Sequence, residues 1–217
     1  MIETGVHFGD IHSFHDLNLV LAPFTYTPAQ VKENRVDRAG GHGSIDLTEA
    51  LGEVKYHDRE LTFKFTVFPQ DELTFEERQT AVSNAVNGLR CKITLDKDPD
   101  YYWEGRCKVN EYLSDKRLRQ IVIVATVAPY KMAQHETVVP VELTGAPQTI
   151  ILTNAKKAVV PVIECSDDDT VITFGNVEAT LTAGAHKVLD IRLVQGANIL
   201  TVSGSGTVTF TYREGVL

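Results

Sequence analysis

The chain has 217 residues, is 43 % hydrophobic and carries a formal net charge of −8 at pH 7. This content suffices for one large domain or two small ones. The acidic balance excludes the basic footprint of a nucleic-acid binder. No run approaches the roughly 20 apolar residues of a membrane span, and the N-terminus lacks the regions of a signal peptide. We therefore expect a protein that is made and kept soluble in a cytoplasm.

Three histidines lie near the start of the chain. His7, His12 and His15 invite interpretation as a metal site, but their spacing fits no compact metal-binding motif. We interpret this segment as polar and exposed. Residues 17–21 then predict a short strand.

Residues 22–44 form a long stretch with two prolines, three glycines and almost no apolar pattern. A loop of this length without secondary structure is uncommon in a compact domain, so we expect it to be functional or disordered. A partner subunit can order such a segment. The Gly-Gly-His-Gly run at residues 40–43 lacks the strand and helix of a dinucleotide-binding motif, so we interpret it as flexible backbone.

A strand and a helix follow. Residues 60–67 alternate between apolar and polar side chains, which is typical of a strand with one wet face. Thr74 and Glu77 have the spacing of a capping box, apolar residues follow at helical spacing, and Asn87 and Gly88 end the run. This is the one helix that we predict with its own start and stop signals.

Three consecutive strands organise the first part of the chain. We predict strands at 91–95, 101–109 and 119–128, with a turn on residues 96–100, where Asp and Pro favour turn geometry. The third strand is apolar on both faces, so it should be central and covered on both sides. Pro129 removes a backbone donor and should end the ladder.

The three cysteines are an odd number without close spacing and do not indicate a disulfide framework. A turn centred near Pro99 brings Cys91 and Cys107 opposite each other. In a reducing compartment we expect this pair to remain as small buried thiols.

Signatures of catalysis or ligand binding are sparse. The chain has no P-loop, no GxSxG, no HExxH and no CxxC. Asp96, Asp98 and Asp100 alternate as in a calcium loop, but the glycine and distal glutamate of an EF-hand are missing, so we interpret them as solvated turn carboxylates. Residues 167–169, three aspartates, are interpreted in the same way. We predict no enzyme, no cofactor and no metal.

The aromatic residues at 101–103 are more informative. Neighbours on a strand face opposite sides, so Tyr101 and Trp103 share one face while Tyr102 takes the other. In the simpler interpretation one face belongs to the core. In the alternative, the other face meets a protein partner, because aromatic residues are favoured at interfaces.

Beyond Tyr130 the chain changes to short β segments separated by Gly, Asn and Asp turns. About eight segments at regular spacing favour a β-sandwich. The polar residues 131–137 mark the boundary, so we predict domains at 1–133 and 134–217. The predicted strands are 138–143, 148–152, 158–165, 170–174, 177–181, 186–191, 197–202 and 207–212.

Three stretches of the first domain occur in an order that points to one family. They are RVDRAGGHGSIDLTEALGEVKYHDRELTFKF, NGLRCKITLDKDPDYYWEGRCKVNEY and VAPYKM. Together they resemble the distal tail protein of long-tailed, non-contractile phages (siphophages) and their prophages. The similarity runs from about Val36 to Met132, and the C-terminal region fits the family's second domain more loosely. The chain departs from the family at residues 39–41, Ala-Gly-Gly, where a proline-glycine pair is expected.

The resemblance implies a mainly β protein: an N-terminal β-sheet domain with one helix and a long irregular extension, and a C-terminal galectin-like β-sandwich. It implies a structural virion protein that forms a ring, typically a hexamer, between the tail tube and the tail tip or baseplate. The implied partners are other copies, the tail tube protein, a tail-associated tip protein and receptor-binding proteins, with DNA passing through the lumen and no membrane or sequence-specific nucleic acid. The implied locations are the tail tip of the virion and, during assembly, the host cytoplasm.

The segment at residues 22–44 is our candidate intersubunit element, because its glycine and proline content prevents it from forming a core of its own. We predict intersubunit contacts at Tyr26, Val31, Val36, Arg38 and Tyr102.

Two alternatives stay open. One is a carbohydrate-binding module, since such sandwiches present Tyr or Trp faces to sugars, although the C-terminal domain has only Phe174, Phe210 and Tyr212 as aromatic residues. The other is a hydrolase that uses Asp or Glu pairs, for which the spacing gives no support.

Overall fold

The structure, a computed structural model, shows a chain of two units, of which the first ends at Lys131 and the second comprises Met132–Val216. Strands dominate both units, and a single helix occurs among the residues that the structure describes. The prediction of a mainly β protein is confirmed. The described residues are 5–24, 26–50, 52–67, 74–114 and 119–217.

The first unit contains one long sheet, one helix and a separate hairpin among its described residues. Its elements are β1 (Val6–Phe8), β2 (Ile11–His12), β3 (Val20–Leu21), β4 (Arg35–Asp37), β5 (Ser44–Asp46), β6 (Arg59–Thr66), α1 (Phe75–Val86), β7 (Arg90–Leu95), β8 (Asp98–Ser114) and β9 (Arg119–Val127).

Strand β9 lies near the middle of the sheet, whose strands run in the order β2-β1-β7-β8-β9-β6-β3. All pairs along this path are antiparallel. Ile121 and Ile123 of β9 point into the core and are fully buried, and Val122 on the other face is 4 % exposed. The prediction of a central strand covered on both faces is therefore confirmed.

The helix α1 begins and ends where its sequence signals place it. Thr74 is the N-cap, its hydroxyl accepts the Glu77 N–H at 3.3 Å, and the Glu77 carboxylate accepts the Thr74 N–H at 2.8 Å. This reciprocal pair satisfies amides that the first turn leaves free. Phe75, Val82 and Val86 anchor the helix in the core of the first unit.

The turn between β7 and β8 is tighter than predicted. Leu95 pairs directly with Asp98, which leaves only Asp96 and Lys97 in the turn, and Pro99 already belongs to β8. The prediction of a five-residue turn is wrong because the φ angle of proline fits an extended edge as well as a turn.

The N-terminal segment was predicted to be exposed, and this prediction is wrong. It adds β1 and β2 to the edge of the sheet, and Val6 and Phe8 are fully buried. The ring of Phe8 lies edge-on to Phe63, with 5.7 Å between the centroids. A strand of three residues carries too short an alternation to stand out among polar neighbours.

The second unit is a sandwich of two four-stranded sheets, β11-β18-β13-β16 and β12-β17-β14-β15. Alternate side chains of both sheets meet in a separate core that includes Leu200, Val202 and Phe210. The sandwich prediction is confirmed. The sandwich strands are β11 (Thr137–Thr144), β12 (Gln148–Asn154), β13 (Val162–Cys165), β14 (Thr170–Phe174), β15 (Val177–Leu181), β16 (Gly184–His186), β17 (Gly196–Ser203) and β18 (Ser205–Tyr212). Two further strands, β10 (Lys131–Ala133) and β19 (Gly215–Val216), pair with each other and lie outside these two sheets.

Two predicted strands of the sandwich have different bounds. The strand predicted at 186–191 is wrong, because β16 ends at His186 and the Ile191 N–H turns back to the Val188 carbonyl at 3.1 Å. The strand predicted at 158–165 begins only at Val162. Pro161 has no N–H for a ladder, and Val159 before it forms only an isolated bridge to Leu193.

The closest backbone approach that we identify in the sheet is at Gly105 of β8. A Cβ atom at this position would lie 2.1 Å from the Thr126 carbonyl oxygen and 2.7 Å from the Val127 Cα. We expect Gly105→Ala to lower the free energy of unfolding by about 1–3 kcal/mol, because neighbouring backbone must move. Denaturant titration followed by tryptophan fluorescence measures this at Trp103, the single tryptophan.

The matched control is Gly41→Ala. A Cβ atom there meets only the Arg38 side chain, at 3.4 Å, which is ordinary contact. We expect a change within about 0.5 kcal/mol. Equal effects of the two substitutions would contradict the assignment of Gly105 as a packing constraint.

Candidate functional site

Residues 31–56, of which 51 is not described, leave the sheet of the first unit as an arm. Two backbone hydrogen bonds close its base, from Lys32 N–H to the Lys55 carbonyl and from His57 N–H to the Gln30 carbonyl, both at 2.8 Å. Further out, β4 and β5 pair only with each other among the described strands. The stretch predicted to be irregular thus contains a hairpin.

The arm exposes apolar side chains. Val36 and Ile45 are directly opposite each other in the hairpin and are 48 % and 44 % exposed. Val31 and Leu47 are also exposed. An isolated two-stranded hairpin is at best marginally stable in water, and clustered exposed apolar residues mark interaction surfaces. The arm therefore has the composition of a surface that another molecule covers.

Four of the five predicted contact residues lie on this arm or beside its base. The ring of Tyr26 packs against Trp103, with 5.7 Å between the centroids, and the Arg59 guanidinium lies 5.1 Å from the Tyr26 centroid. Val31 bridges to Tyr56 at the base. Further along, Val36 and Arg38 are exposed. Tyr26 is anchored to the body of the unit and keeps an exposed edge, so it marks where the arm leaves the sheet.

Tyr102 is placed differently from the other four. It lies in the middle of β8, is only 6 % exposed, and the Lys92 ammonium lies 4.5 Å from its ring centroid. Its neighbour Trp103 is buried on the opposite face. Both faces of the sheet are therefore covered here, and Tyr102 has little surface left to offer a partner.

A cluster that the sequence alone does not reveal joins His7 and His12 to Asp96. The three side chains bring ligand-type atoms within 4.8 Å of one another. The His12 Nε2 lies 3.1 Å from one carboxylate oxygen of Asp96, and the His7 Nε2 lies 3.5 Å from the other. Asp96 is 84 residues from His12, so no local spacing predicts this cluster.

The hydrogen bonds of His12 show that the cluster is not arranged as a metal site. The backbone N–H of His15 donates to the His12 Nδ1 at 3.0 Å. The neutral ring must then carry its proton on Nε2, which donates to Asp96. A histidine that binds a metal instead donates a hydrogen bond from its second nitrogen. The cluster is therefore a hydrogen-bonded clasp, and it ties the N-terminal strands to the turn between β7 and β8.

The Asp96 carboxylate is held in its charged form. Burial acts to raise its pKa, but the Gly5 N–H at 2.6 Å, the hydrogen bond from His12 and the electrostatic attraction of the His12 and His7 rings outweigh burial and lower the pKa below its ordinary value. The interpretation of this residue as a solvated turn carboxylate is wrong. It is also wrong for Asp98, which forms an ion pair with Lys131. Asp100 is exposed as predicted.

Cys91 and Cys107 are free thiols whose sulfur atoms lie 3.9 Å apart. They are diagonal neighbours, because Cys91 pairs with Gly105 in the ladder. The hydrogen bond between the thiols lowers the pKa of Cys91 against the effect of burial, and it raises the pKa of Cys107 together with burial. The Cys107 thiol is therefore protonated near neutral pH and is not an activated nucleophile.

A cleft of about 700 Å³ runs along β7, β8 and β9 and includes Cys107 in its lining. Three of its charged side chains have local partners. The Arg90 guanidinium lies 3.2 Å from the Glu104 carboxylate, and Arg106 donates to the Gly88 carbonyl at 2.7 Å. Such paired charges stabilise the sheet surface. They do not provide the nucleophile in contact with a base that a catalytic site would need.

No protein family model matches the chain, and no curated protein matches it in sequence. Among solved structures, the chain is similar to the crystal structure of the SPP1 Dit (gp 19.1) protein, with a TM-score of 0.69 over 99 % of each chain and 14 % sequence identity. The chain has the fold of SPP1 Dit. That protein is described as a paradigm of the hub adsorption apparatus in phages that infect Gram-positive bacteria.

The similarity to Dit covers both units, so it supports the predicted resemblance along the whole chain, including the C-terminal region where the sequence match is loose. At this identity the comparison establishes the fold. In the part of the chain that the structure describes, no helix is long and apolar enough to cross a membrane.

The clasp generates a prediction with a pH dependence. We expect Asp96→Asn to lower the free energy of unfolding by about 1–3 kcal/mol at neutral pH, because a charged acceptor of two hydrogen bonds is lost. The pKa of Asp96 is lower in the folded state than its ordinary value of 3.8. The stability from the carboxylate is therefore present above about pH 4 and is lost as the pH falls through the folded-state pKa.

Denaturant titrations of wild type and variant at several pH values test this. The difference between them should shrink below about pH 4. Asp100→Asn is the matched control on the same hairpin, since Asp100 is exposed, and it should change little at any pH. A difference that stays constant as the pH falls would show that the Asp96 charge does not stabilise the fold.

Proposed function

We propose that this protein is a structural subunit of the distal end of a long, non-contractile phage tail, where six copies close into a ring that connects the tail tube to the tail tip or baseplate. The observation that carries this proposal is the match to SPP1 Dit over 99 % of both chains, which includes the sheet, the helix and the sandwich in one order. The ring serves as a hub on which the other tail-tip proteins assemble.

The arm supports assembly through a contact between copies. Its apolar pair, Val36 and Ile45, is exposed in the single chain, and the hydrogen bonds described above anchor the arm at its base. An arm that docks on a different surface of the next copy makes a heterologous contact, and repetition of that contact closes a ring when the rotation allows. Tyr26, Val31, Val36 and Arg38 are the residues that we assign to this contact.

The proposed partners follow from this position in the tail. They are other copies of the chain, the tail tube protein, a tail-associated tip protein and receptor-binding proteins. The formal charge of −8 suits a ring through which DNA passes, because clusters of Lys and Arg in the lumen would bind phosphates and slow transit. The protein would reside at the tail tip of the virion and, during assembly, in the host cytoplasm.

The carbohydrate-binding alternative finds no support in the second unit, all of whose residues are described. A sugar site of that type needs an exposed aromatic face. Phe210 and Tyr212 are buried, with 0 % and 3 % exposed, and Phe174 packs partly buried against the same core. We therefore favour the structural role over carbohydrate binding.

Substitution of Val36 tests the arm. We expect Val36→Lys to leave the fold intact, because the side chain is exposed, and to weaken ring formation by roughly tenfold or more, because a charge replaces an apolar contact. Native mass spectrometry measures the oligomer over a range of concentrations, and circular dichroism checks the fold.

Val138→Lys is the matched control, since Val138 is an exposed strand valine in the second unit, with 57 % of its surface accessible. It should assemble as the wild type does. A Val36→Lys protein that forms rings as readily as the wild type would remove the arm from the interface. A wild type that is monomeric both alone and with tail tube protein would contradict the ring itself.

A further inference from the structure

One edge of the sandwich lacks the features that protect sheet edges. The four edge strands are β11, β16, β12 and β15. β11 contains Pro140 and Glu142, β15 contains Glu178, and β16 has only three residues. Proline, charge and short length are the usual means by which a strand edge avoids pairing with another chain. β12 has none of them.

β12 is instead long, regular and uncharged. Its seven residues, Gln-Thr-Ile-Ile-Leu-Thr-Asn, pair with β17 without interruption, so the backbone groups on its free side form a straight row. One of these groups, the Thr153 carbonyl, already accepts a hydrogen bond from the Tyr212 hydroxyl. Ile151 lies directly opposite Ile199, and each is 61 % exposed on the outer face of the sheet. This edge therefore offers a hydrogen-bonding template with an apolar stripe beside it.

The sequence of β12 is nearly symmetric about Ile151. Thr149 and Thr153 are equidistant from it, as are Ile150 and Leu152, and Gln148 and Asn154. In an antiparallel pair of two such strands, related by a two-fold axis at Ile151, each residue would meet one of the same type. Cross-strand pairs of this kind are the unit of sheet stabilisation.

We propose that β12 is a docking edge for the β12 strand of a second copy of this chain. The β12-β17-β14-β15 sheet of one copy and the same sheet of the second copy join into one continuous sheet of eight strands. On its outer face, the Ile199 and Ile151 side chains of both copies form a ladder of four β-branched residues across the two-fold axis. The contact is isologous, and it consumes the free edge of each copy, so the pair is closed and does not grow into a fibre.

Charge favours this occupant and this location. Residues 134–217 contain nine acidic and five basic residues, so two copies of this part of the chain repel each other on average. β12 is the one edge of its sheet that is free of charge, since Glu178 lies on β15 at the opposite edge. Two acidic copies that pair through β12 therefore bring no charged strand residues opposite each other.

Cross-linking of the full-length chain tests the register. Ile151→Cys places two thiols opposite each other across the two-fold axis, and a short bifunctional maleimide should convert the protein to a covalent dimer. Thr180→Cys is the matched control, because Thr180 is an exposed outward position on β15 at the other edge of the same sheet. It should form no covalent dimer under the same conditions, and neither should the wild type with its native cysteines, although both keep the association through β12.

Sedimentation equilibrium tests the energetics. Ile151→Lys should weaken the two-fold association by roughly tenfold or more, because two charges meet at the axis, whereas Thr180→Lys should leave it unchanged. Both are also measured in the Val36→Lys background, where association through β12 should persist without the ring. Absence of cross-linking at Ile151→Cys, equal cross-linking at Thr180→Cys, or a wild type without two-fold association at any accessible concentration would each overturn the proposal.

Discussion

The pairing of β9 on both of its edges is the constraint on which the first unit depends. β8 and β6 occupy those edges, so the sheet can extend only outward from them, through β7, β1 and β2 on one side and β3 on the other. Both ends of this path are strands of two residues. Such short ends give a neighbouring molecule little edge to pair with. We therefore expect the contacts of the first unit with other molecules to arise away from these two edges.

The arm leaves four large apolar side chains of the first unit exposed, those of Val31, Val36, Ile45 and Leu47. β4 and β5 contain three residues each, and a pair of that size orders few backbone groups and buries little surface. Gly40 and Gly43 have φ angles of +72° and +76°, which glycine adopts without the strain of a side chain, so the connection can fold back tightly. The apolar side chains of the hairpin, Val36 and Ile45, stay about half exposed, and a partner surface would bury them.

The sequence predicted those elements that depend on interactions between residues close together in the chain. The capping box at Thr74 and Glu77 and the alternation of β6 depend on residues a few positions apart, and both are confirmed. The clasp was not predictable in this way, because Asp96 reaches His12 only after the sheet has formed. The burial of Phe8 was missed for the same reason. The turn predicted at residues 96–100 was too long because the φ angle of Pro99 fits both a turn and a strand.

The exposed edge at β12 could not be predicted from the alternation of apolar and polar residues either. In a strand of seven residues, the sequence does not show which isoleucine is buried and which is exposed. Its significance appears only when the four edges of the sandwich are compared.

The two surfaces that we assign to assembly differ in symmetry, and this separates their roles. An arm that binds a different surface of the next copy is heterologous, so repetition produces a ring. A strand that pairs with its own copy is isologous and joins two chains about a two-fold axis. Neighbours within a ring of cyclic symmetry are related by a rotation of the ring and not by such a two-fold axis. Pairing through β12 must therefore join copies that are not ring neighbours, and it competes with no contact that closes the ring.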